Sequence, residues 1–160
     1  MILKYILVVF LLATATATVL AKENEPEENR YLLEFLSDLE LFSNMKLPVL
    51  ENAVLSGVWN KSKSAFAFCA KGIKTLCLVL IKNESSYKSV DVTAVEAGNF
   101  GKLGRNISFY DKYTTKATKW IERKDGLLQI EFLTYAWKNS QRYTAKEPLL
   151  LNKSGEPLYR

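Results

Sequence analysis

The chain has 160 residues, 48% of them hydrophobic and 24% charged, a composition that excludes wholesale disorder. It has no histidine and only two cysteines, which excludes Ser-His-Asp and Cys-His catalysis, HExxH proteases, imidazole zinc sites and a four-thiolate zinc site. Charge is uneven: residues 22–60 carry eight Asp/Glu and three Lys/Arg, residues 61–160 nine and eighteen, so the basic body either neutralises an acidic segment or faces an anionic partner.

Residues 1–21 (MILKYILVVFLLATATATVLA) combine a short basic region at Lys4, an apolar run Ile6–Leu12 and small residues at Val19 and Ala21. That is the layout of a secretory signal peptide, too short and wrongly flanked for a stable membrane span, with Ala17 marking an earlier cleavage point. No later run has the length of a transmembrane helix, and SGEPLYR at the C-terminus is neither a retention signal nor an anchor tail. The chemistry of the remainder is accordingly expected to be extracellular and oxidising.

Residues 22–29 (KENEPEEN) read as an acidic flexible leader with Asn29 as a helix cap, and residues 30–160 as one globular domain. Leu32, Phe35, Leu36, Leu39 and Phe42 fall on one helical face, predicting an amphipathic helix over 30–46 that Pro48 limits. Val49–Leu55 is a second short helical piece before Gly57. The β-rich part runs from 64 to 146. Ser64–Ala70, Thr75–Lys82 and the alternating Tyr87–Val95 read as strands, the second nearly continuous in apolar residues and therefore central. Asn99–Gly104 reads as a glycine-punctuated loop. Further strands are expected at Asn106–Tyr110, Thr118–Arg123, Leu127–Trp137 and Gln141–Ala145, with Asp125-Gly126 as a hairpin turn and an irregular tail over 147–160. The expected fold is mainly β (α+β): an antiparallel sheet or β-sandwich of six to seven short strands with one N-terminal amphipathic helix.

Four features could carry function. Cys69 and Cys77 lie symmetrically about Ile73, so they face each other across a hairpin turning at Lys71–Lys74 and are expected to form a disulfide. Asn60, Asn83, Asn106 and Asn152 each begin an N-x-Ser sequon, more than the roughly one expected by chance, and mark candidate N-glycosylation sites. Lys112, Tyr113, Lys116, Lys119, Trp120, Arg123, Trp137, Arg142 and Tyr143 interleave cations with aromatic rings, a pattern suited to anionic glycans or lipid headgroups. The acidic polar face of the 30–46 helix suits packing on a sheet better than lying on a membrane.

The helix, the run Ile81–Ser86 (IKNESS) and the Asp125–Trp137 segment, with its DG-x-L-x-I-x-F pattern and aromatic loop, resemble the layout of actinoporin-like β-sandwich cytolysins. That resemblance implies a membrane-inserting helix and a lipid-binding aromatic loop, but the chain is shorter and lacks the family's paired-Trp cluster. The Q-x-V-x-G loop of cystatin-type inhibitors is absent. The expected function is thus a secreted, N-glycosylated, non-enzymatic binding protein. Its partner would be an extracellular protein, glycan or lipid, with no cofactor, metal or nucleic acid. The alternative is a membrane-active, cytolysin-like protein. An enzyme would have to use a carboxylate pair such as Asp91 with Asp111 or Glu131.

Overall fold

The computed structural model describes residues 27–158. The expected signal peptide and the first five residues of the leader lie outside the described residues, as do residues 159 and 160. The fold is mainly β, with two antiparallel sheets of four and three strands and three helices among the described residues. In chain order these are α1 (Glu27–Asp38), a 3₁₀ turn (Glu40–Phe42), α2 (Leu47–Ser56), β1 (Val58–Trp59), β2 (Ala65–Lys71), β3 (Thr75–Asn83) and β4 (Ser86–Asp91). There follow α3 (Ala94–Leu103), a second 3₁₀ turn (Ile107–Phe109), β5 (Lys112–Ile121), β6 (Leu128–Lys138) and β7 (Gln141–Leu151). None of the described helices is long and apolar enough to cross a membrane.

The architecture has three layers. Strands β1-β2-β3-β4 form the inner sheet, and β2 and β3 are buried along most of their length. Period-two alternation sends Phe66, Phe68, Leu78 and Leu80 to one face, where they pack against Leu32 and Leu36 of α1 and Leu50 and Val54 of α2. The other face presents Ala67, Cys77 and Val79 to Ala117, Ile130, Phe132 and Leu149 of the outer sheet, β5-β6-β7. Gly57, where α2 ends, lets the backbone pass directly over the Phe66 ring; a Cβ there would meet Cζ at 2.2 Å. Cys69 and Cys77 are direct partners in the β2–β3 register and are disulfide-bonded.

Several segments depart from the sequence reading. The single helix over 30–46 begins earlier, at Glu27, and ends at Asp38; Asn29 lies inside it rather than capping it. Pro48 starts α2 instead of stopping α1, because proline suits the first helical turn, where its missing N–H leaves no bond unmade. The strand expected over Tyr87–Val95 stops at Asp91, where the Asp91 carboxylate accepts a hydrogen bond from the Thr93 N–H at 2.8 Å and turns the chain. The expected loop Asn99–Gly104 instead belongs to α3, which ends on Gly104 in the left-handed conformation (φ 66°). Asn106–Tyr110 forms the second 3₁₀ turn rather than a strand. The tail, expected to be irregular, continues β7 to Leu151. Pro148 is tolerated there because β7 is an edge strand and needs no N–H on its outer side.

Reducing the Cys69–Cys77 bridge opens a loop whose ends are eight residues apart. On the chain-entropy model the double Cys69→Ala/Cys77→Ala variant loses about 2.5 kcal/mol, read as a lower urea midpoint. An unchanged midpoint would mean that packing alone fixes the hairpin.

Candidate functional site

The outer sheet turns one face to the core and the other to solvent, and its register aligns the solvent face in rows. Lys112, Trp137 and Arg142 lie side by side across β5, β6 and β7; so do Thr114, Tyr135 and Thr144, then Lys116, Leu133 and Lys146. The central strand thus carries a column of two aromatic residues and one leucine, with cations on both flanks. Leu133 is only 8% exposed although it faces outward, because long lysine stems lie over apolar surface while their ammonium groups stay in water.

The rings hold the cations. Lys112 Nζ sits 5.0 Å from the Trp137 ring centre, and Lys116 Nζ and the Arg142 guanidinium sit 5.4 Å and 5.5 Å from that of Tyr135. Among the described residues none of these three cations pairs with a carboxylate. Ring-held cations keep their full charge toward solvent, whereas an ion pair would cancel it. Lys146 differs, standing 3.4 Å from Glu131 at the far end of the face.

The structure divides the nine residues that the sequence grouped together. Lys112, Lys116, Trp137 and Arg142 lie together on the outer face, and exposed Lys119 lies beyond them, opposite Glu131. Trp120 does not: a β-bulge between Ala117 and Lys119 reverses the alternation and turns its ring inward, where the indole N–H donates to the Val58 carbonyl at 2.9 Å. Tyr113 and Tyr143 also face inward, joining Phe100, Tyr110 and Ala136 in a small aromatic core. Arg123 stands in the β5–β6 turn, bound to Asp125 and, through Nη1, to Gln129 at 2.8 Å. Tyr135 was missed, although counting by twos from Trp137 places it on the same face.

Other polar groups are engaged elsewhere. The buried side chains of α3 reach the inward face of the outer sheet: Asn99 Nδ2 donates to Thr134 Oγ1 at 2.9 Å, Thr134 and Thr115 share a hydroxyl contact of 2.8 Å, and Thr115 donates to Glu96 Oε2 at 2.9 Å. The chain of donors ends on a carboxylate and locks α3 in place. Asp91, Asp111 and Glu131 do not form a carboxylate pair. Asp91 accepts from Thr93, Asp111 from Lys138 Nζ and the Asn139 N–H, and Glu131 from Thr118. The Lys138 hydrogen bond, followed by the Asn139 N–H, lowers the Asp111 carboxyl below its usual range. Burial, reinforced by nearby Glu28, raises the Tyr87 phenol. A groove of about 430 Å³ between α3 and β7 has Arg123 and Glu147 on its rim, both already paired, with Asp125 and Lys102. Among the described residues no cluster of three metal-binding side chains occurs.

The four sequons also differ. Asn60 is 8% exposed; its Oδ1 accepts from the Ser64 and Ala65 N–H groups, and its Nδ2 donates to Ser64 Oγ at 3.0 Å. Asn152 is held by Ser154 and Glu156. Asn83 and Asn106 are exposed at the end of β3 and just before the second 3₁₀ turn.

No family model, no curated protein and no solved structure matches this chain.

The hydrogen bond from Arg123, helped by the Leu127 N–H, lowers the Asp125 carboxyl from 3.8 to about 2. Its folded value lies below its unfolded one, so its stabilising contribution is complete above about pH 4 and is lost as the pH falls toward 2. A carboxyl NMR titration should give a midpoint near 2 that Arg123→Gln moves up toward 3.8. A midpoint indifferent to that change would break the assignment.

Proposed function

We propose that this chain is a secreted, N-glycosylated, non-enzymatic binding protein that engages an anionic extracellular surface through the outer face of β5–β7. The observation that carries the reading is the set of three ring-held cations, Lys112, Lys116 and Arg142, left without carboxylate partners among the described residues. The disulfide is compatible with an oxidising compartment, and the signal-like pattern of residues 1–21 supports export. A non-enzymatic role is supported by carboxylates that are dispersed and individually bonded. The cytolysin-like alternative would require α1 to leave the inner sheet, on which Leu32 and Leu36 are completely buried.

Charge reversal tests the surface. The oxidised protein should be retained at low salt on a sulfated-polysaccharide matrix or on beads coated with anionic lipid. Lys112→Glu/Lys116→Glu/Arg142→Glu should elute in the void while keeping its urea midpoint. Unchanged retention rejects the surface.

Glycan positions test the setting. Of the four sequons, Asn83 and Asn106 can carry a glycan without disturbing native hydrogen bonds, and Asn60 is closed by its own loop. Protein secreted from a eukaryotic host should lose one glycan mass in Asn83→Gln and one in Asn106→Gln, and none in Asn60→Gln. Occupancy of Asn60 in folded protein would contradict the assignment.

A further inference from the structure

Resting on that reading of the outer face, we propose that its ligand is a linear anionic polysaccharide lying along β6. Lys112 and Lys116 of β5 and Arg142 of β7 would supply the cationic contacts, while Lys146 stays held by Glu131. The register places the strands that carry them on either side of β6, and the charged groups lean over its rings. Strand spacing sets the β5 and β7 backbones about 10 Å apart, and the four-residue step from Lys112 to Lys116 sets their Cα atoms about 13 Å apart. A flexible loop presents charges in any order, whereas these positions are fixed by backbone pairing. They suit a ligand that repeats its acidic groups along one axis. Arg142 adds a planar fork, which matches sulfate or carboxylate oxygens two at a time. The Glu131–Lys146 ion pair closes the face at the Lys119 end, so the bound stretch runs from the Trp137 row to Lys116.

The other anionic partners fit this face less well. Docking to a bilayer uses aliphatic or aromatic groups that protrude into the headgroup layer, yet Leu133 is 8% exposed and, among the described residues, the most exposed large apolar residue, Ile73, is at the β2–β3 turn of the other sheet. Single-stranded nucleic acid stacks its bases on open ring faces, and here Lys112, Lys116 and Arg142 stand over the rings of Trp137 and Tyr135. A stable protein interface has an apolar, water-free centre, whereas the rows on this face alternate with lysine, arginine and threonine. A sulfated or uronic polysaccharide needs only fixed charge and a wet, polar contact, with the ring edges available to its sugar C–H groups.

The test is a direct binding titration of the oxidised, secreted protein against size-defined heparin oligosaccharides, neutral dextran, phosphatidylglycerol vesicles and oligo-dT. Heparin should bind most tightly, with affinity falling as salt rises, and dextran should not bind. Lys112→Gln/Lys116→Gln/Arg142→Gln should weaken heparin binding about tenfold or more. The control Lys61→Gln/Lys74→Gln/Lys124→Gln removes the same charge from exposed positions elsewhere and should weaken binding much less. Vesicles or oligo-dT binding more tightly than heparin through the same three cations would overturn the polysaccharide assignment and leave the anionic surface standing. Equal losses in the two triple variants would overturn the assignment of the polysaccharide to this face. No binding to any polyanion would remove the surface reading itself.

Discussion

The β2–β3 hairpin is the constraint on which the rest depends, because both of its faces are buried. A sheet buried on both sides needs two covers, and the chain supplies them before and after it. The α1–α2 pair covers the Phe66 and Phe68 face, and the outer sheet covers the Ala67 and Val79 face. Small residues on the second face, Ala65, Ala67 and the disulfide pair, allow the outer sheet to approach closely, while large aromatics on the first fill the space beneath the helices. Once the outer sheet has spent one face in this way, its other face meets water. The candidate site is therefore a consequence of the layer order, and the disulfide ties together the two strands that set it.

How much of this was legible in the sequence follows from how local each signal is. The apolar run of β3, the Cys69–Cys77 symmetry and the Asp125-Gly126 turn are complete within short stretches, and all three are realised. Helix α3 was hidden. Val92 and Ala94 continue the alternation of β4 past its end, and Gly101 and Gly104 imitate a loop. What makes this glycine-rich segment helical is tertiary: Glu96 and Asn99 bond to Thr115 and Thr134 from strands yet to come, and Phe100 enters an aromatic cluster with Tyr110 and Tyr113. Propensity is a weak prior when such long-range contacts are available.

The candidate face was half legible for a similar reason. The strand expected over Thr118–Arg123 in fact runs Lys112–Ile121; counting by twos along it sends Lys112 and Lys116 outward, but carries Trp120 with them unless the bulge after Ala117 is known. One extra residue in β5 exchanges the two faces for the remainder of the strand. Trp120 thereby becomes a core residue that bridges to β1 through the Val58 carbonyl. Composition also could not separate the exposed, carboxylate-free Arg142 from Arg123, which Asp125 neutralises two residues along the chain.

The same layer order bears on the uneven charge. An acidic segment preceding a basic body could fold back and cancel it. Instead, α1 covers the face of the inner sheet that is turned away from the outer sheet, so its carboxylates and the basic rows stand on opposite sides of three layers. Glu28 does pair with Lys63, but that lysine belongs to the β1–β2 loop and not to the outer face. Charges separated by that thickness exceed the screening length of physiological salt, about 8 Å, and do not quench each other. Residues 27–91 carry eight acidic and eight basic side chains and residues 92–158 seven and eleven, so the positive excess belongs to the part of the chain that holds α3 and the outer sheet, which an extended polyanion would orient before contact. Cancellation within the outer face, among the described residues, is confined to Glu131 and Lys146 at its margin, and Lys112, Lys116 and Arg142 are left to act outward from its centre.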